Sequence, residues 1–510
     1  MSRPLRMGAA AAVVSGSVLL SRLLGLGREA LLAGLIGVNT EGDLYRQAFT
    51  IPDFLNYLLA GAYLTITLIP ILSRHLSNDD NEAASRAFTS VFRFVALAIL
   101  GLTALMWLFA DPLVGLVFPE ASDHARLVSM TRLVLPAQVF FVVGAILMAV
   151  QYSHKRFIYP ALAPLVYNIG IIGGGLIGAA VSEASPESFL WGALIGSAVG
   201  NFGIQWFGAR QTGTWLTNTR GESAVGEYLI LALPLMLGQS IAVLDEQFVR
   251  FFGQVEEGAT SALSFARQLN MVPVGVIAQA AGVAAFPFLA GLAARGENEK
   301  LIETTGRAAR NTLFIATAAT ATLIVLANPL VRVLFQYGAF SSDDSSTVAK
   351  LLTIYAFSIP AWGIQAILAR HFYAKRKMWT PVLIGTFFTL VAIPAWLWGY
   401  DSLGVEGFAL ASTLVITGYA VGLLIAWGRD SGWTAVQRLL PSLGRGLVAA
   451  AAAVGVALPL VNAVFGEAEN LTLWSGLGAG AVGGLTSLAV FVSISYLLRA
   501  PELKEITRRR

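Results

Sequence analysis

Long apolar stretches recur along the whole chain, separated only by short polar gaps. A helix needs about 20 consecutive apolar residues to cross the hydrocarbon core of a bilayer. No gap is long enough to fold as a separate soluble domain. The pattern therefore predicts an all-α polytopic membrane protein with about 14 transmembrane helices, at residues 9–36, 48–73, 89–110, 128–151, 159–182, 188–208, 227–252, 260–290, 311–335, 349–373, 380–399, 405–427, 444–465 and 472–497.

The charges of the gaps predict the orientation of the spans, because cationic loop residues stay in the cytoplasm. We number each gap by the span that precedes it, so that gap 2 follows span 2. The even-numbered gaps and the tail are basic. Their cationic residues are Arg74, Arg86, Lys155, Arg156, Arg210, Arg220, Arg295, Lys300, Arg307, Lys375, Arg376, Lys377, Arg429, Arg438, Arg508, Arg509 and Arg510. Odd-numbered gaps are mostly acidic, with Arg126 and Arg132 as exceptions. We therefore predict an inner-membrane protein with both termini in the cytoplasm and an uncleaved first helix.

Composition agrees with this class. Of 510 residues, 56% are hydrophobic and only 13% are charged, against about 25% charged in a typical soluble domain. The absence of cysteine excludes disulfides, thiolate nucleophiles and cysteine-ligated metals. The four histidines are scattered over loops and span ends, so we expect no metal site, no cofactor and no enzymatic activity. The basic balance comes from loop arginines, and we expect no nucleic-acid partner.

The second half of the chain repeats motifs of the first half. The segment 110–118 (ADPLVGLVF) returns at 327–335 (ANPLVRVLF), and 69–72 (IPIL) matches 286–289 (FPFL) at the same offset along the chain. Chance similarity of apolar sequence is the alternative, but the shared offset argues against it. Six spans fit into the offset, so the two copies face the same way and would enclose a central cavity. We predict an N-terminal lobe at 1–215, a C-terminal lobe at 216–430, and spans 13 and 14 with the tail at 431–510.

Ionisable residues inside spans are the strongest pointers to function, since each costs at least about 2.5–3.5 kcal/mol near the bilayer centre. Span 1 contains Arg22 and Arg28, separated by Gly25 and Gly27, which weaken the helix and allow it to bend. Both guanidinium groups would then reach one cavity and bind a phosphate or pyrophosphate. The alternative is that the arginines reach water at a membrane surface, with Glu29 neutralising Arg28.

Other charges have weaker interpretations. In span 7, Glu246 and Arg250 have the spacing of a helical salt bridge, whereas Asp245 lacks an evident local partner and is a candidate ligand for a coupling cation. Asp43 precedes span 2, either as a site residue or as an ordinary loop residue. We expect Asp53 to cap a helix that starts at Pro52.

Several motifs resemble those of the MurJ (MviN) family of lipid II flippases, within the multidrug, oligosaccharidyl-lipid and polysaccharide exporter superfamily. The resemblance covers nearly the whole chain. It rests on the segments 21–29 (SRLLGLGRE), 69–73 (IPILS), 159–171 (YPALAPLVYNIGI), 334–340 (LFQYGAF) and 372–375 (FYAK), the last followed by Thr380-Pro381.

The resemblance implies transport of lipid II, an undecaprenyl-pyrophosphate-linked peptidoglycan precursor, from the inner to the outer leaflet by alternating access. It implies two six-helix lobes around a central cationic cavity, and two extra C-terminal helices that form a groove for the lipid tail. Family position assigns substrate binding to Arg22, Arg28 and Asp43, with Glu29 as the acid after the second arginine. Arg267 lies one residue from the family's helix 8 arginine. We expect a monomer whose partners are lipid II and the bilayer.

The chain departs from the family pattern at two places. Many members have an arginine in helix 2 where this chain has Asn56 and Tyr57, which removes one cationic contact. Asp245 resembles the aspartate of a sodium site, but span 11 lacks the asparagine and aspartate that would complete that site. An exporter of another polyprenyl-linked glycan, or of a drug, is the alternative function. A membrane glycosyltransferase would need a large external loop, which the chain does not have.

Overall fold

A computed structural model describes residues 7–58, 61–181, 184–218, 223–237, 247–251, 253, 256–278, 284–466 and 472–503. Within these ranges the regular structure is helical and contains no β-strand. The chain packs as two compact units, one of Met1–Ser261 with Tyr337–Phe340 and the other of Ala262–Gln336 with Ser341–Arg510. The all-α class predicted from the hydrophobic pattern is thereby confirmed.

The described helices of the first unit are α1 Met7–Leu35, α2 Thr40–Gln47, α3 Thr50–Leu58, α4 Gly61–Ser77, α5 Asn81–Leu108, α6 Ala110–Val117, α7 His124–Ser153, α8 Ile158–Val181, α9 Pro186–Gly196, α10 Ile204–Arg210 and α11 Val225–Leu237. The unit is built around α7, which packs against α3, α4, α5, α6 and α9. A π-helical segment, Ser197–Gly203, joins α9 to α10.

The described helices of the second unit start with α12, which begins in the first unit. They are α12 Ala259–Ala278, α13 Ala284–Ala294, α14 Asn298–Phe335, α15 Ser342–Ala356, α16 Ile359–Ala374, α17 Trp379–Ser431, α18 Trp433–Gln437, α19 Leu440–Phe465 and α20 Leu473–Leu497. The unit is built around the long helix α14, which packs against the helices of spans 8, 10, 13 and 14. The rings of Phe314 in α14 and Phe491 in α20 lie 5.1 Å apart.

Every predicted span overlaps at least one of these helices. In the described part of the chain, seven helices are long and apolar enough to cross a membrane, and the pair α15 and α16, bent by 40°, passes the same test as one span. The 53-residue α17 is interrupted at Gly404, where φ is 60° and ψ is −143°, a conformation that favours glycine. This break separates predicted spans 11 and 12. The count of fourteen crossings remains a prediction.

The outer surface of both units is apolar. Leu97, Val181, Trp398 and Leu485 are all largely exposed, although soluble monomers rarely expose large contiguous apolar patches. Exposed side chains of this kind lie on helices of membrane-spanning length, where lipid chains cover them. The chain is therefore a multi-pass membrane protein.

Contacts between gaps confirm that successive spans run in opposite directions in the first unit. Arg126 of gap 3 contacts Glu41 of gap 1 at 2.5 Å and Glu187 of gap 5 at 2.6 Å. Arg74 of gap 2 pairs with Glu227, which follows gap 6, at 2.8 Å. Odd gaps thus meet at one end of the unit and even gaps at the other, as the alternating charges predict.

The exceptional position of Arg126 in an acidic gap is explained by its two partners, because the carboxylates of Glu41 and Glu187 neutralise its charge. Hydrogen bonds with Glu187 and Glu41 raise the pKa of Arg126, and the same bond with Arg126 lowers the pKa of Glu187. The second unit shows the same separation of ends. Lys375 of gap 10 pairs with Asp430 of gap 12, while Lys350, which follows gap 9, pairs with Glu406, which follows gap 11.

The internal repeat is visible in the backbone. The turn before α5 contains a residue in the left-handed conformation, Asp79 (φ 55°), and the turn before α14 contains another, Gly296 (φ 72°). The offset of the repeat separates these two positions. The amide of Asp80 donates to the carbonyl of His75 at 3.1 Å, as the amide of Glu297 donates to that of Leu292 at 3.0 Å. The motif residues at 110, 114 and 118 are buried, and so are those at 327, 331 and 335. The repeat predicted from sequence is confirmed at these positions.

Helices α8 and α9 pack unusually closely through glycines. A Cβ atom at Gly170 would lie 2.6 Å from the Cα of Gly196, and one at Gly192 would lie 2.3 Å from the carbonyl oxygen of Gly170. Small residues four apart allow membrane helices to approach in this way. The contact holds α8 in place, and α8 carries Asn168 of the candidate site.

Candidate functional site

The predicted site on α1 is centred on a buried carboxylate shared by two arginines. Glu29 is 3% exposed, accepts a hydrogen bond from Arg28 at 2.8 Å, and accepts another from Arg46 at 3.0 Å. Arg46 lies on α2 and is 9% exposed. We call Arg28, Glu29 and Arg46 the arginine cluster. Two cations and one anion leave the arginine cluster with a net positive charge.

Helix α8 supplies a third wall to the arginine cluster. Arg28 donates to Oδ1 of Asn168 at 3.3 Å. Asn168 is itself fixed by donating to the carbonyl of Pro164 at 2.9 Å and to the hydroxyl of Ser21 at 3.4 Å. The Nε atom of Arg28 has no hydrogen-bond partner among the described residues, and the side chain is 23% exposed. Arg28 therefore retains capacity to bind a further acceptor.

Arg22 differs from Arg28 in its surroundings. Its side chain is exposed and forms no hydrogen bond or ion pair with any residue that the structure describes. Helix α1 continues through Gly25 and Gly27 without a break in its helical hydrogen bonding. A Cβ atom at either glycine would meet no atom within 4 Å. The glycines therefore border open space beside the two arginines.

Asp43 lies on α2, and its carboxylate is held by the start of α12. Its carboxylate accepts hydrogen bonds from the backbone amides of Gly258 and Ser261, both at 2.8 Å, at the start of α12. Burial raises the pKa of Asp43 to about 7, although these hydrogen bonds oppose the rise. In this arrangement Asp43 holds the beginning of a helix, and its predicted contact with substrate stays a prediction.

Asp53 and Arg250 form an ion pair that the spacing in sequence did not predict. Arg250 donates to Oδ2 of Asp53 at 2.8 Å. Helix α3 begins at Thr50, so the expectation that Asp53 caps a helix starting at Pro52 is wrong. Glu246, the expected partner of Arg250, lies outside the described residues, as does the candidate cation ligand Asp245.

Asn56 lies on α3, in predicted span 2, where many members of the family have an arginine, and it has a polar partner within the first unit. Asn56 donates through its amide to Oε1 of the buried Gln138 at 2.9 Å. An arginine would bring a charge to this position, whereas the Asn56–Gln138 pair is neutral. The departure from the family pattern is thus accommodated by α7.

Arg267 lies on α12 in the second unit, and its side chain is half-buried. Its role stays a prediction. No group of three or more metal-ligating side chains occurs among the described residues.

Sequence reasoning missed Arg46 and Asn168. Arg46 had a usable signal, because it is a cation directly before an apolar span in an otherwise acidic gap. Asn168 is an amide inside an apolar stretch, where polar side chains usually have a specific partner. Its partner is 140 residues away in sequence.

The fold and the cationic groups inside its spans define a polytopic membrane transporter. Its likeness to solved structures includes an inward-facing multidrug resistance MATE family transporter of the MOP superfamily, with a TM-score of 0.67 and 16% identity over 84% of this chain and 99% of that one. A lipid II flippase MurJ in an inward closed conformation gives a TM-score of 0.75 at 23% identity, over 96% of this chain and all of that one.

The family follows from the sequence comparison. The model of the family described as lipid II flippase MurJ matches residues 32–472, so the chain belongs to that family. A probable lipid II flippase MurJ of Rhizobium meliloti (strain 1021) is 27% identical over 98% of this chain and 95% of its own length. The lipid II flippase MurJ of Burkholderia cenocepacia is 26% identical over 73% of this chain and 74% of its own.

Proposed function

We propose that this protein flips lipid II from the inner to the outer leaflet of the bacterial inner membrane by alternating access. Family membership and the similarity to a MurJ structure support the proposal. The observation that carries it is the arginine cluster, a net positive group inside an apolar protein, next to the exposed Arg22. Guanidinium groups bind phosphate oxygens through paired hydrogen bonds, and the pyrophosphate of lipid II supplies such oxygens.

Each site residue has a separate role in this proposal. Arg22, exposed and without a partner among the described residues, makes the first contact with the headgroup. Arg28 then offers its remaining hydrogen-bonding capacity, while Glu29 keeps Arg28 and Arg46 aligned. Arg267 is added as a headgroup contact on its sequence position alone, and Asp43 as a support for the start of α12.

The remaining features of the proposal concern the setting of transport. Both termini lie in the cytoplasm, since the even gaps carry the basic residues. The lipid tail stays in the bilayer and moves along spans 13 and 14. No covalent chemistry is required, the protein acts as a monomer, and Asp245 is the candidate ligand for a coupling cation.

The experiment is replacement of the resident lipid II flippase in cells depleted of it, with lipid II on the outer leaflet as the readout. Wild type should restore exposure of lipid II, and the Arg22→Ala, Arg28→Ala double variant should not. Loss of charge-assisted hydrogen bonds costs about 1.5–3 kcal/mol each, so we expect at least a tenfold fall in rate. Arg210→Ala, at an exposed arginine of an even gap, is the matched control and should behave as wild type.

A second candidate function is export of another polyprenyl-linked glycan. The neutral Asn56–Gln138 pair favours it, because one cationic contact of the family is absent there. Correctly inserted wild-type protein that exposes a different polyprenyl-pyrophosphate glycan, and no lipid II, would establish this alternative. Rescue by the double variant would instead remove the arginine cluster from the mechanism.

A further inference from the structure

An apolar pocket of about 350 Å³ lies within the first unit, at the odd-gap end of spans 2, 3 and 7. We call it the span 2–3–7 pocket. Pockets that hold small molecules have volumes of roughly 300–1,000 Å³, so the space suffices for part of a ligand. No residue of the arginine cluster lines the pocket, and its principal apolar walls are Ile51, Phe54, Met106, Leu113, Phe248 and Phe251.

Two polar side chains in this apolar lining have unsatisfied hydrogen-bonding groups. Among the described residues, neither the hydroxyl of Thr50 nor either end of the Gln247 carboxamide has a partner, although these atoms are buried. Thr50 itself is 6% exposed. A buried polar group without a partner is destabilising. A ligand with a hydrogen-bond acceptor would satisfy the Thr50 hydroxyl and the amide nitrogen of Gln247.

The walls of the pocket are held together without a ligand. Phe54 follows Asp53 on α3, and Phe251 follows Arg250, so the Asp53–Arg250 ion pair at 2.8 Å joins the two segments that face each other. A pocket with fixed walls loses less conformational entropy when it binds. The arrangement is therefore preformed.

The pocket is continuous with a surface that faces lipid. Met106, Leu113 and Leu116 also line an adjoining apolar cavity of about 460 Å³ together with Leu105 and Phe109. Leu116 is 77% exposed. A ligand that enters across this surface comes from the bilayer, and it must be mostly apolar.

The depth of the pocket indicates which part of a lipid reaches the polar groups. Thr50 begins α3, and predicted span 3 ends between Met106 and Leu113, so the pocket lies where the spans end. The polar interfacial layers bring the bilayer from about 30 Å of hydrocarbon to about 40–45 Å in total. Ester carbonyl groups of glycerolipids occupy this boundary, and they accept but do not donate hydrogen bonds.

We propose that the span 2–3–7 pocket binds one acyl chain of a bilayer glycerophospholipid. The ester carbonyl of that lipid accepts hydrogen bonds from the Thr50 hydroxyl and from the Gln247 amide, and the chain lies against Met106 and Leu113. The binding does not depend on which lipid-linked glycan the protein transports.

The test uses the purified full-length protein in proteoliposomes that contain a phosphatidylcholine with a diazirine on one acyl chain. After photolysis, we expect labelled peptides to concentrate at residues 105–117 and 247–251. Met106→Trp fills the pocket and should abolish this labelling. Leu97→Trp, at an exposed position of the same helix α5, is the matched control and should leave it unchanged.

A second variant removes the hydrogen bonds without filling the pocket. Thr50→Val with Gln247→Leu should weaken binding of 1-palmitoyl-2-oleoyl-phosphatidylglycerol, followed by native mass spectrometry, about tenfold, because each hydrogen bond contributes about 0.5–1.5 kcal/mol. In detergent without lipid, this variant should be at least as stable as wild type, since it eliminates unpaired buried groups. A purely structural role for the two side chains predicts the opposite change in stability.

Three results would overturn the proposal. One is equal labelling at Leu97 and Met106, which indicates only the general lipid layer around the protein. Another is unchanged lipid binding in the Thr50→Val, Gln247→Leu variant. The third is a larger loss of the diazirine labelling when a polyprenyl phosphate is added than when unlabelled phospholipid is added. That result would make the pocket a site for the transported lipid.

Discussion

In each unit a largely buried carboxylate binds two cations, and these two clusters lie in different surroundings. In the first unit Glu29, 3% exposed, joins Arg28 and Arg46. In the second unit Asp430, 10% exposed, joins Lys375 and Lys377, and Lys377 is 50% exposed. In the first cluster Arg28 and Glu29 lie on predicted span 1, and Arg46 lies on α2 just before span 2. The second cluster, which we call the lysine cluster, joins two even gaps at the ends of α16 and α17.

The comparison shows how much the surroundings of each cluster change the energetic cost of its charges. The lysine cluster connects the ends of two helices at a polar boundary, where charges remain partly hydrated and cost little. The arginine cluster holds charges within the apolar part of the protein, where desolvation is expensive. A structure that needed only helix packing at this point would use apolar residues. The cost of holding these charges there supports the anionic ligand proposed above.

Replacing Glu29 should have the largest effect. Glu29→Ala leaves Arg28 and Arg46 without their buried counterion, and breaking such a pair costs about 3–5 kcal/mol. Thermal unfolding in detergent should occur at a clearly lower temperature than for wild type, and lipid II exposure should be lost. Glu29→Asp, which keeps the charge, should recover part of the stability. Unfolding of Glu29→Ala at the wild-type temperature would contradict the assigned geometry.

Arg28→Lys should separate binding from charge. Lysine keeps the positive charge but loses the planar fork that reaches Glu29 and Asn168 together, and hydrogen bonds to charged groups contribute about 1.5–3 kcal/mol. We expect a tenfold or greater fall in the rate of lipid II exposure. The corresponding exchange in the second cluster, Lys375→Arg, should have little effect on the same rate. Equal effects would mean that the two clusters do not differ in function.

Asp430→Asn should have a moderate effect that depends on pH. Burial raises the pKa of Asp430, but the hydrogen bonds and charges of Lys375 and Lys377 outweigh burial and lower the pKa to about 2, below the unfolded value of about 3.9. The stabilisation is present above pH 4 and is lost as the pH falls toward 2. The unfolding temperatures of wild type and variant should therefore differ at pH 7 and converge near pH 2. A difference that persists at pH 2 would rule out titration of Asp430 as the cause.

Lys377→Ala should have the smallest effect. Lys377 is half exposed, and ion pairs of exposed residues contribute about 0–1 kcal/mol. Its unfolding temperature should lie close to that of wild type, and lipid II exposure should be unchanged. Loss comparable to that of Glu29→Ala would show that the second cluster is as essential as the first.

The fold could be predicted from the sequence to a large extent. The apolar stretches located the described helices, the charge pattern separated odd from even gaps, and the offset of the repeat matched turns such as those at Asp79 and Gly296. These features are local or periodic, so a single sequence contains them. A carboxylate beside the span 1 arginines was also predictable, because an arginine inside an apolar span needs an anionic partner. That these residues bind substrate stays a prediction.

Partners within the site could not be predicted in the same way. Sequence spacing assigned Glu29 to Arg28, but the structure adds Arg46. Spacing assigned Arg250 to Glu246, and the structure places Asp53 against Arg250. The carboxylate of Asp43 contacts two amides that lie far along the chain, at Gly258 and Ser261. Helical periodicity identifies neighbours only three or four positions apart.

The sequence by itself determined the membrane class, the succession of helices, the internal repeat and the presence of cations inside the membrane. Only the tertiary structure decided which carboxylate holds Arg46, where Asp43 is used, and that Thr50 and Gln247 share an apolar pocket. The physical reason is that apolar length and loop charge act on each segment separately. Pairing of buried polar groups depends on which helices pack together, and that is settled when α1, α2 and α8, or α3 and the end of span 7, come into contact.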